Sequence, residues 1–239
     1  MNPEMQILVE GCASMGIDLS DKQLAAFDTY LSLLLEWNEK INLTAIREPK
    51  EILIYHFLDS ISAVKLDILK DDHSILDIGT GAGFPGIPIK IVYPEISLTL
   101  LDSVNKKVRF VETVIEQLKL NKCTAIHSRA EEFGREAGRR EAFDVVLSRA
   151  VAEMRVLSEY CLPFVIQQGY FLAYKGPGAD DELKEAEKAI KILGGKYVKT
   201  ENVKIPFSDK THNIVVVKKI NKTPKQYPRS AGKPKKSPL

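Results

Sequence analysis

Residues 74–89 constrain this chain more than any other stretch: Ser-Ile-Leu-Asp-Ile-Gly-Thr-Gly-Ala-Gly-Phe-Pro-Gly-Ile-Pro-Ile. The apolar run 75–78 has the length of a buried strand. Four glycines follow, Gly79, Gly81, Gly83 and Gly86, and after Pro85 the residues Ile87, Ile89 and Ile91 resume as a short helix. Strand, glycine turn and helix open a nucleotide-binding βαβ unit. Glycine suits the turn because the backbone must take positive φ and approach a ligand closely. The N–H groups at the start of the helix then face that ligand.

Residues 81–86 match the dinucleotide pattern G-x-G-x-x-G, but Asp77 argues against a pyrophosphate. It ends the strand two residues before the first glycine, where a carboxylate repels an anion and attracts a cation. S-adenosylmethionine carries an ammonium and a sulfonium and no phosphate. The run Asp77-Ile-Gly79-Thr-Gly81-Ala-Gly83 therefore suits a methyl donor, with Asp77 on its ammonium and Gly81 along its methionine part. Asp102 closes the next apolar run, 19 residues beyond Gly83, the usual place for an acid that takes ribose hydroxyls; a cap on the following helix is the plainer role.

The rest of the chain supplies the α/β alternation. Strands are predicted at 74–78, 96–101, 123–127, 143–147 and 169–174, with helices near 86–92, 104–119, 153–167 and 180–193. Two β runs, 197–205 and 213–220, follow with no helix between them, so they should pair as an antiparallel hairpin. That layout is α/β, the Rossmann-like seven-stranded class I methyltransferase fold. A dehydrogenase would normally supply a sixth parallel strand. Residues 1–70 read as a helical extension packed on the core, 71–220 as the methyltransferase domain and 221–239 as a basic tail. Within the extension, Ser20 to Gln23 forms a capping box. It opens a helix with Leu24, Phe27, Leu31, Leu34 and Leu35 on one stripe, read as packing on the main domain. Another helix begins at Glu48-Pro49 and carries His56 and Asp59 on one face, a pair read as structural.

Charge is uneven. The net is +2, yet residues 218–239 hold eight Lys/Arg and no acid, leaving 26 basic and 32 acidic residues in 1–217, net −6. An acidic body with a basic tail points to a polyanionic partner, and Tyr227 in that tail offers a ring to stack on a base. Cys12, Cys123 and Cys161 make neither a disulfide framework nor a metal pattern, so no metal is expected. No long uncharged apolar run is present and residues 1–5 lack a signal-peptide pattern. Cytoplasmic location, no membrane contact and a monomeric state are expected.

The end of the fourth strand narrows the acceptor. Exocyclic amines of adenine call for an Asn/Asp-Pro-Pro-aromatic motif; this chain has Ser148-Arg149-Ala150-Val151. Cytosine C5 needs a nucleophilic cysteine, and Cys161 lies within a helix. Guanine N7 needs neither device, because its lone pair is free at neutral pH.

Several strings together resemble one family. They are Asn42-Leu-Thr44, His56 with Asp59-Ser60, the run 76–88 with its Phe84-Pro85, Ser148-Arg-Ala150, and Tyr227-Pro-Arg229 with Gly232 and the closing Lys-Ser-Pro-Leu. The chain is similar to the bacterial 16S rRNA methyltransferase G family, also called glucose-inhibited division protein B, from about residue 31 to 239. The resemblance implies S-adenosylmethionine-dependent N7 methylation of a guanine in the 530 loop of 16S rRNA, nucleotide 527 in the usual numbering. The substrate would be the 30S ribosomal subunit or its precursor, and the modification would bear on streptomycin sensitivity. By motif, Gly79 and Phe84 would line the donor, Ala130 and Glu131 would meet its adenine, and Arg149 would lie between donor and target. Arg149 also has a plainer role, pairing with a neighbouring acid. Two other functions fit the same residues: a nicotinamide-dependent oxidoreductase using Gly81 to Gly86, or a non-catalytic ribosome-assembly factor.

Overall fold

The structure is a computed structural model that describes residues 3–239; Met1 and Asn2 of the expected extension lie outside the described residues. Two helices come first, α1 (Met5–Ser14) and α2 (Asp21–Lys40). The capping box is present: the Gln23 N–H donates to the Ser20 hydroxyl at 3.3 Å, and the Ser20 N–H donates to Gln23 Oε1 at 2.9 Å. Phe27, Leu31 and Leu34 are buried, together with Tyr30 and Asn38. Helix α3 (Pro49–Ile52) widens into a π-helical turn (Leu53–Leu58), narrows to α4 (Asp59–Ile61) and ends as a 3-10 turn (Ser62–Leu66). Wide turns of this kind concentrate at functional sites, and this one carries Tyr55 and His56.

The sheet comprises β1 (Ser74–Ile78), β2 (Ser97–Asp102), β3 (Cys123–His127), β4 (Phe143–Arg149), β5 (Val165–Lys175), β6 (Gly195–Lys204) and β7 (Thr211–Lys219). Its order is β3-β2-β1-β4-β5-β7-β6. The first five strands are parallel, while β7 runs antiparallel to both β5 and β6. The expected hairpin therefore exists and inserts its second strand next to β5. Between the strands lie α5 (Gly86–Val92), α6 (Asn105–Gln117), α7 (Ala130–Phe133), α8 (Met154–Cys161) and α9 (Ala179–Ile192). The chain reverses its winding at β1 and β4, so a crevice opens at their carboxyl ends.

One span differs from the sequence reading. The helix expected over 153–167 stops at Cys161, and β5 starts at Val165. Pro163 cannot supply the N–H that a continuing helix needs, so residues 162–164 tighten into a 3-10 turn. The Pro163 and Phe164 carbonyls then accept the N–H groups of Glu141 and Ala142.

Each sheet face has its own core. The N-terminal helices pack on one with α5 and α6, through Phe27, Tyr30, Leu34, Phe57, Ile87 and Phe110. The other holds α8 and α9 through Leu157, Leu183, Ala186 and Ile190. Residues 221–239 lie on this second face and end in α10 (Lys233–Lys236). The Arg140 guanidinium donates to the carbonyls of Thr223 and Tyr227. Arg229 forks onto Glu159, with Nη2–Oε2 at 2.6 Å, and the Glu159 side chain is fully buried. Tyr227 packs into the core rather than standing free to stack on a base, because its neighbour Arg140 ties its backbone down.

Candidate active site

The site grows from the glycine turn. Gly79, Gly81 and Gly83 hold φ of 70°, 62° and 96°. A Cβ on Gly79 would strike the Val151 side chain at 2.3 Å, whereas one on Gly81 would meet no atom nearer than the Gly79 carbonyl at 4.0 Å. Side chains rarely adopt this backbone, and at Gly81 the bare backbone borders open space. Tyr30 braces the turn from the N-terminal extension: its hydroxyl donates to the Ala82 carbonyl at 2.5 Å. Its ring stacks on Phe57 at 5.1 Å and touches Phe84 at 5.5 Å.

Asp77 lies beneath the turn. It is fully buried, and its Oδ2 accepts from the Thr80 hydroxyl at 2.7 Å and the Gly86 N–H at 2.9 Å. Its Oδ1 is buried with no hydrogen-bond partner among the described residues. Burial lifts this carboxyl from 3.8 to about 6, against the pull of Thr80, Gly86 and Arg149. Asp77 thus shapes the turn and places an unmatched negative oxygen below it, and it lines neither cavity of the turn. Asp102 is the wall carboxylate: Oδ2 accepts the Gly81 N–H and Oδ1 the Val104 N–H, both at 2.8 Å. It shapes the turn and holds the Val104 N–H, but the expected cap is not made: Val104 is the N-cap of α6 and no side chain caps that helix.

Two cavities flank the turn. One, of about 240 Å³, lies over the ends of β1, β2 and β3 and is lined by Gly79, Asp102, Ala130, Glu131, Gly232 and Lys235 among others. Here the C-terminal segment completes the wall: the Gly232 N–H donates to Glu131 Oε1 at 2.8 Å. The other, of about 310 Å³, lies between the turn and the extension and is lined by Thr44, His56, Gly81, Phe84, Lys107 and Arg149 among others. Asn38 fixes its rim, accepting the N–H groups of Leu43 and Thr44 at 2.9 and 3.0 Å.

Arg149 sits where β4 ends and makes the plainer of its two expected contacts, a pair with an acid. Its Nη1 lies 2.5 Å from Asp59 Oδ2, and its guanidinium covers Phe84 at 5.0 Å from the ring centroid. Asp59 Oδ1 meets His212 Nδ1 at 2.6 Å. These two partners, with burial opposing them, leave the Asp59 carboxyl below its usual range. His56 Nδ1 is 3.4 Å from Arg149 Nη2 and can only accept there, since a guanidinium has no lone pair to offer. Nε2 then carries the proton toward the Thr44 hydroxyl, 2.7 Å away. Burial, helped by Arg149, depresses His56 from 6.5 to about 4, so the ring is neutral. His56 and Asp59 are linked through Arg149, which contacts both. Cys161 is buried, and burial pushes its thiol far above the ordinary range, which removes it as a nucleophile.

The residues fit a cationic, phosphate-free donor. The orphan oxygen of Asp77 and the Asp102 carboxylate give the turn a negative floor, and the bare backbone at Gly81 leaves room above it. Sequence reasoning missed Tyr30, Asn38 and Lys235, and had Gly232 only as part of a family string. Each reaches the site from an element distant in sequence.

A family model described as rRNA small subunit methyltransferase G (GidB) matches residues 23–214. The chain is 51% identical over 233 residues to the Ribosomal RNA small subunit methyltransferase G of Alkaliphilus oremlandii, covering 98% of each chain. It is 50% identical to that of Desulforamulus reducens over the whole length of both. The chain belongs to this family. It is a methyltransferase, and its donor is S-adenosylmethionine. Solved structures agree on the fold: M. jannaschii TYW2 in complex with AdoMet superposes with a TM-score of 0.50 at 15% identity, over 63% of this chain and 69% of that one. The YcgJ protein from Bacillus subtilis superposes with a TM-score of 0.52 at 13% identity, over 71% and 100%. Among the described residues, no helix is long and apolar enough to cross a membrane, and no cluster of His, Cys, Asp and Glu is arranged to hold a metal.

Proposed function

We propose that this enzyme methylates N7 of a single guanine in the 530 loop of 16S rRNA, nucleotide 527 in the usual numbering. It would act as a monomer in the cytoplasm, on the 30S subunit or its precursor. The observation that carries the choice of N7 is the state of the groups at the β4 end. His56 has its lone pair on Arg149 and its proton on Thr44; Asp59 has both oxygens engaged; Arg149 is a permanent cation. None of these three is poised to take a proton, and N7 has none to give.

The two cavities divide the donor's binding. Asp102, Ala130 and Glu131 would hold the adenosine part, and Gly79, Gly81 and Phe84 the methionine part. When bound, the donor supplies a methyl group already activated by its positive sulfur. The chain's own contribution is alignment and exclusion of water. Phe84 and Arg149 fix the wall past which the acceptor must approach. Basic side chains then gather RNA toward this edge: Lys107 and Lys235 line the cavities, and Lys222, Lys225, Lys233 and Lys236 stand exposed on the C-terminal segment.

Replacing the target guanine by 7-deazaguanine in reconstituted 30S particles tests the reading. Transfer from labelled donor should vanish, with RNA affinity unchanged. Undiminished transfer would overturn N7 as the acceptor.

A further inference from the structure

We propose that a third cavity, at the ends of β4, β5 and β7, receives the target guanine, and that Glu182 and Lys175 read its Watson–Crick edge. This rests on the guanine-methyltransferase reading above.

The cavity measures about 260 Å³ and is lined by Asp59, Arg149, Tyr174, Lys175, Glu182 and His212 among others. The cavity over β1, β2 and β3 shares Gly79 with the cavity beside the extension, which in turn shares Asp59, Arg149 and Ala150 with this third one. The three form a row along the carboxyl edge of the sheet. A donor laid across the first two would end at Arg149 and Ala150, where the third begins. Ala150 holds φ of 58°, a left-handed backbone that alanine rarely adopts. Such residues cluster where a site dictates the path of the chain.

Guanine presents two adjacent donors, N1–H and the 2-amino group, beside one acceptor, O6. A carboxylate beside an ammonium is the complement of that edge. Glu182 and Lys175 are such a pair, with Nζ 2.6 Å from Oε2. Both are held by backbone: Lys175 donates to the Ala152 carbonyl at 2.7 Å, and Glu182 Oε2 accepts the Met154 N–H at 2.9 Å. With Oε2 pinned twice, Oε1 remains without a donor among the described residues. Adenine would set its N1 lone pair against the same carboxylate and be repelled. The Tyr174 and His212 rings, stacked at 5.7 Å, supply an aromatic wall. A carboxylate at this edge would also offset the positive charge that the base gains on N7.

The experiment pairs a variant with a base analogue. Glu182→Gln keeps an acceptor for Met154 but loses the charge and one of the two acceptor oxygens. Its kcat/KM on reconstituted 30S particles should fall about 10- to 100-fold, the range of one base-reading contact. Calorimetric affinity for S-adenosylmethionine should stay unchanged, which also shows that the variant is folded. Inosine at the target lacks the 2-amino group. Wild type should discriminate against it, and Glu182→Gln should discriminate much less. Lys175→Met is read separately and should lose rate on guanine and inosine alike. Normal rates in both variants, or undiminished discrimination in Glu182→Gln, would overturn the pocket assignment while leaving guanine methylation standing. Failure of the wild type to methylate guanine-containing particles would instead overturn the reading beneath it.

Discussion

Removing Arg229 should loosen the donor site from a distance. Arg229 donates through Nε at 2.9 and 3.0 Å and Nη2 at 2.6 Å to Glu159, and its backbone N–H adds a bond of 2.8 Å. In Arg229→Ala only the backbone bond remains, and a fully buried carboxylate loses its counter-charge. Breaking a buried pair from one side costs about 3–5 kcal/mol. The protein can escape part of that cost by releasing residues 221–239, so their docking energy caps the visible loss. Undocking would carry Gly232 away from Glu131 and Lys235 out of the cavity that we assign to adenosine. If the docking holds, Tm should fall by about 6–20 °C, at roughly 2–4 °C per kcal/mol for a chain this size. If it does not, Tm should fall less, and trypsin should cut early at Lys222 or Lys225. Either way donor affinity should weaken, and Glu159→Gln with Arg229→Ala should recover part of the loss by removing the stranded charge. Arg229→Ala with unchanged Tm, protease resistance and calorimetric donor affinity would show that the Arg229–Glu159 pair does not hold this segment against the site.

Tyr30→Phe should strand the Ala82 carbonyl under the turn, costing about 1–3 kcal/mol of stability in urea titration and weakening donor binding with it. Asp77→Asn should trade stability against function. Burial raises the Asp77 carboxyl, so the folded state holds that proton more tightly than the unfolded chain. Its ionisation penalty is absent below about pH 4 and complete above about pH 6, worth about 3 kcal/mol. The variant, whose side-chain amide oxygen can still accept from Thr80 and Gly86, should therefore be more stable than wild type at pH 7.5 but not at pH 3.5, and it should bind the cationic donor less well at neutral pH. Single-turnover methylation with saturating donor should be nearly flat from pH 6.5 to 8.5, because His56 stays neutral throughout; a bell with two neutral-range pKa values would require a general base.

The backbone of the site was legible because each of its signals is local. A turn that needs positive φ at Gly79, Gly81 and Gly83 writes glycines at fixed spacing, and a buried parallel strand writes an apolar run. The acids at the ends of β1 and β2 could be found the same way. Their division of labour could not, because it depends on depth: Asp77 lies under the turn and Asp102 beside the cavity. The contacts that complete the site join residues far apart in the chain. Tyr30 and Ala82 are 52 positions apart, Arg149 and Asp59 are 90, and Glu131 and Gly232 are 101. Periodicity carries no information about which buried acid a distant arginine will meet. The basic C-terminal segment shows the same limit: its charge suggested a partner outside the protein, while Arg229 spends its own on Glu159.

The proposed product is 7-methylguanosine in 16S rRNA. The direct measurement incubates the enzyme with isotopically labelled S-adenosylmethionine and 30S particles from cells lacking the modification, then maps and identifies the labelled nucleoside by mass spectrometry. 7-Methylguanosine is expected at one position in the 530 loop, in near-stoichiometric yield. Label in 1-methylguanosine, in 2-methylguanosine, in a ribose 2′-O-methyl group or in no RNA at all would contradict it.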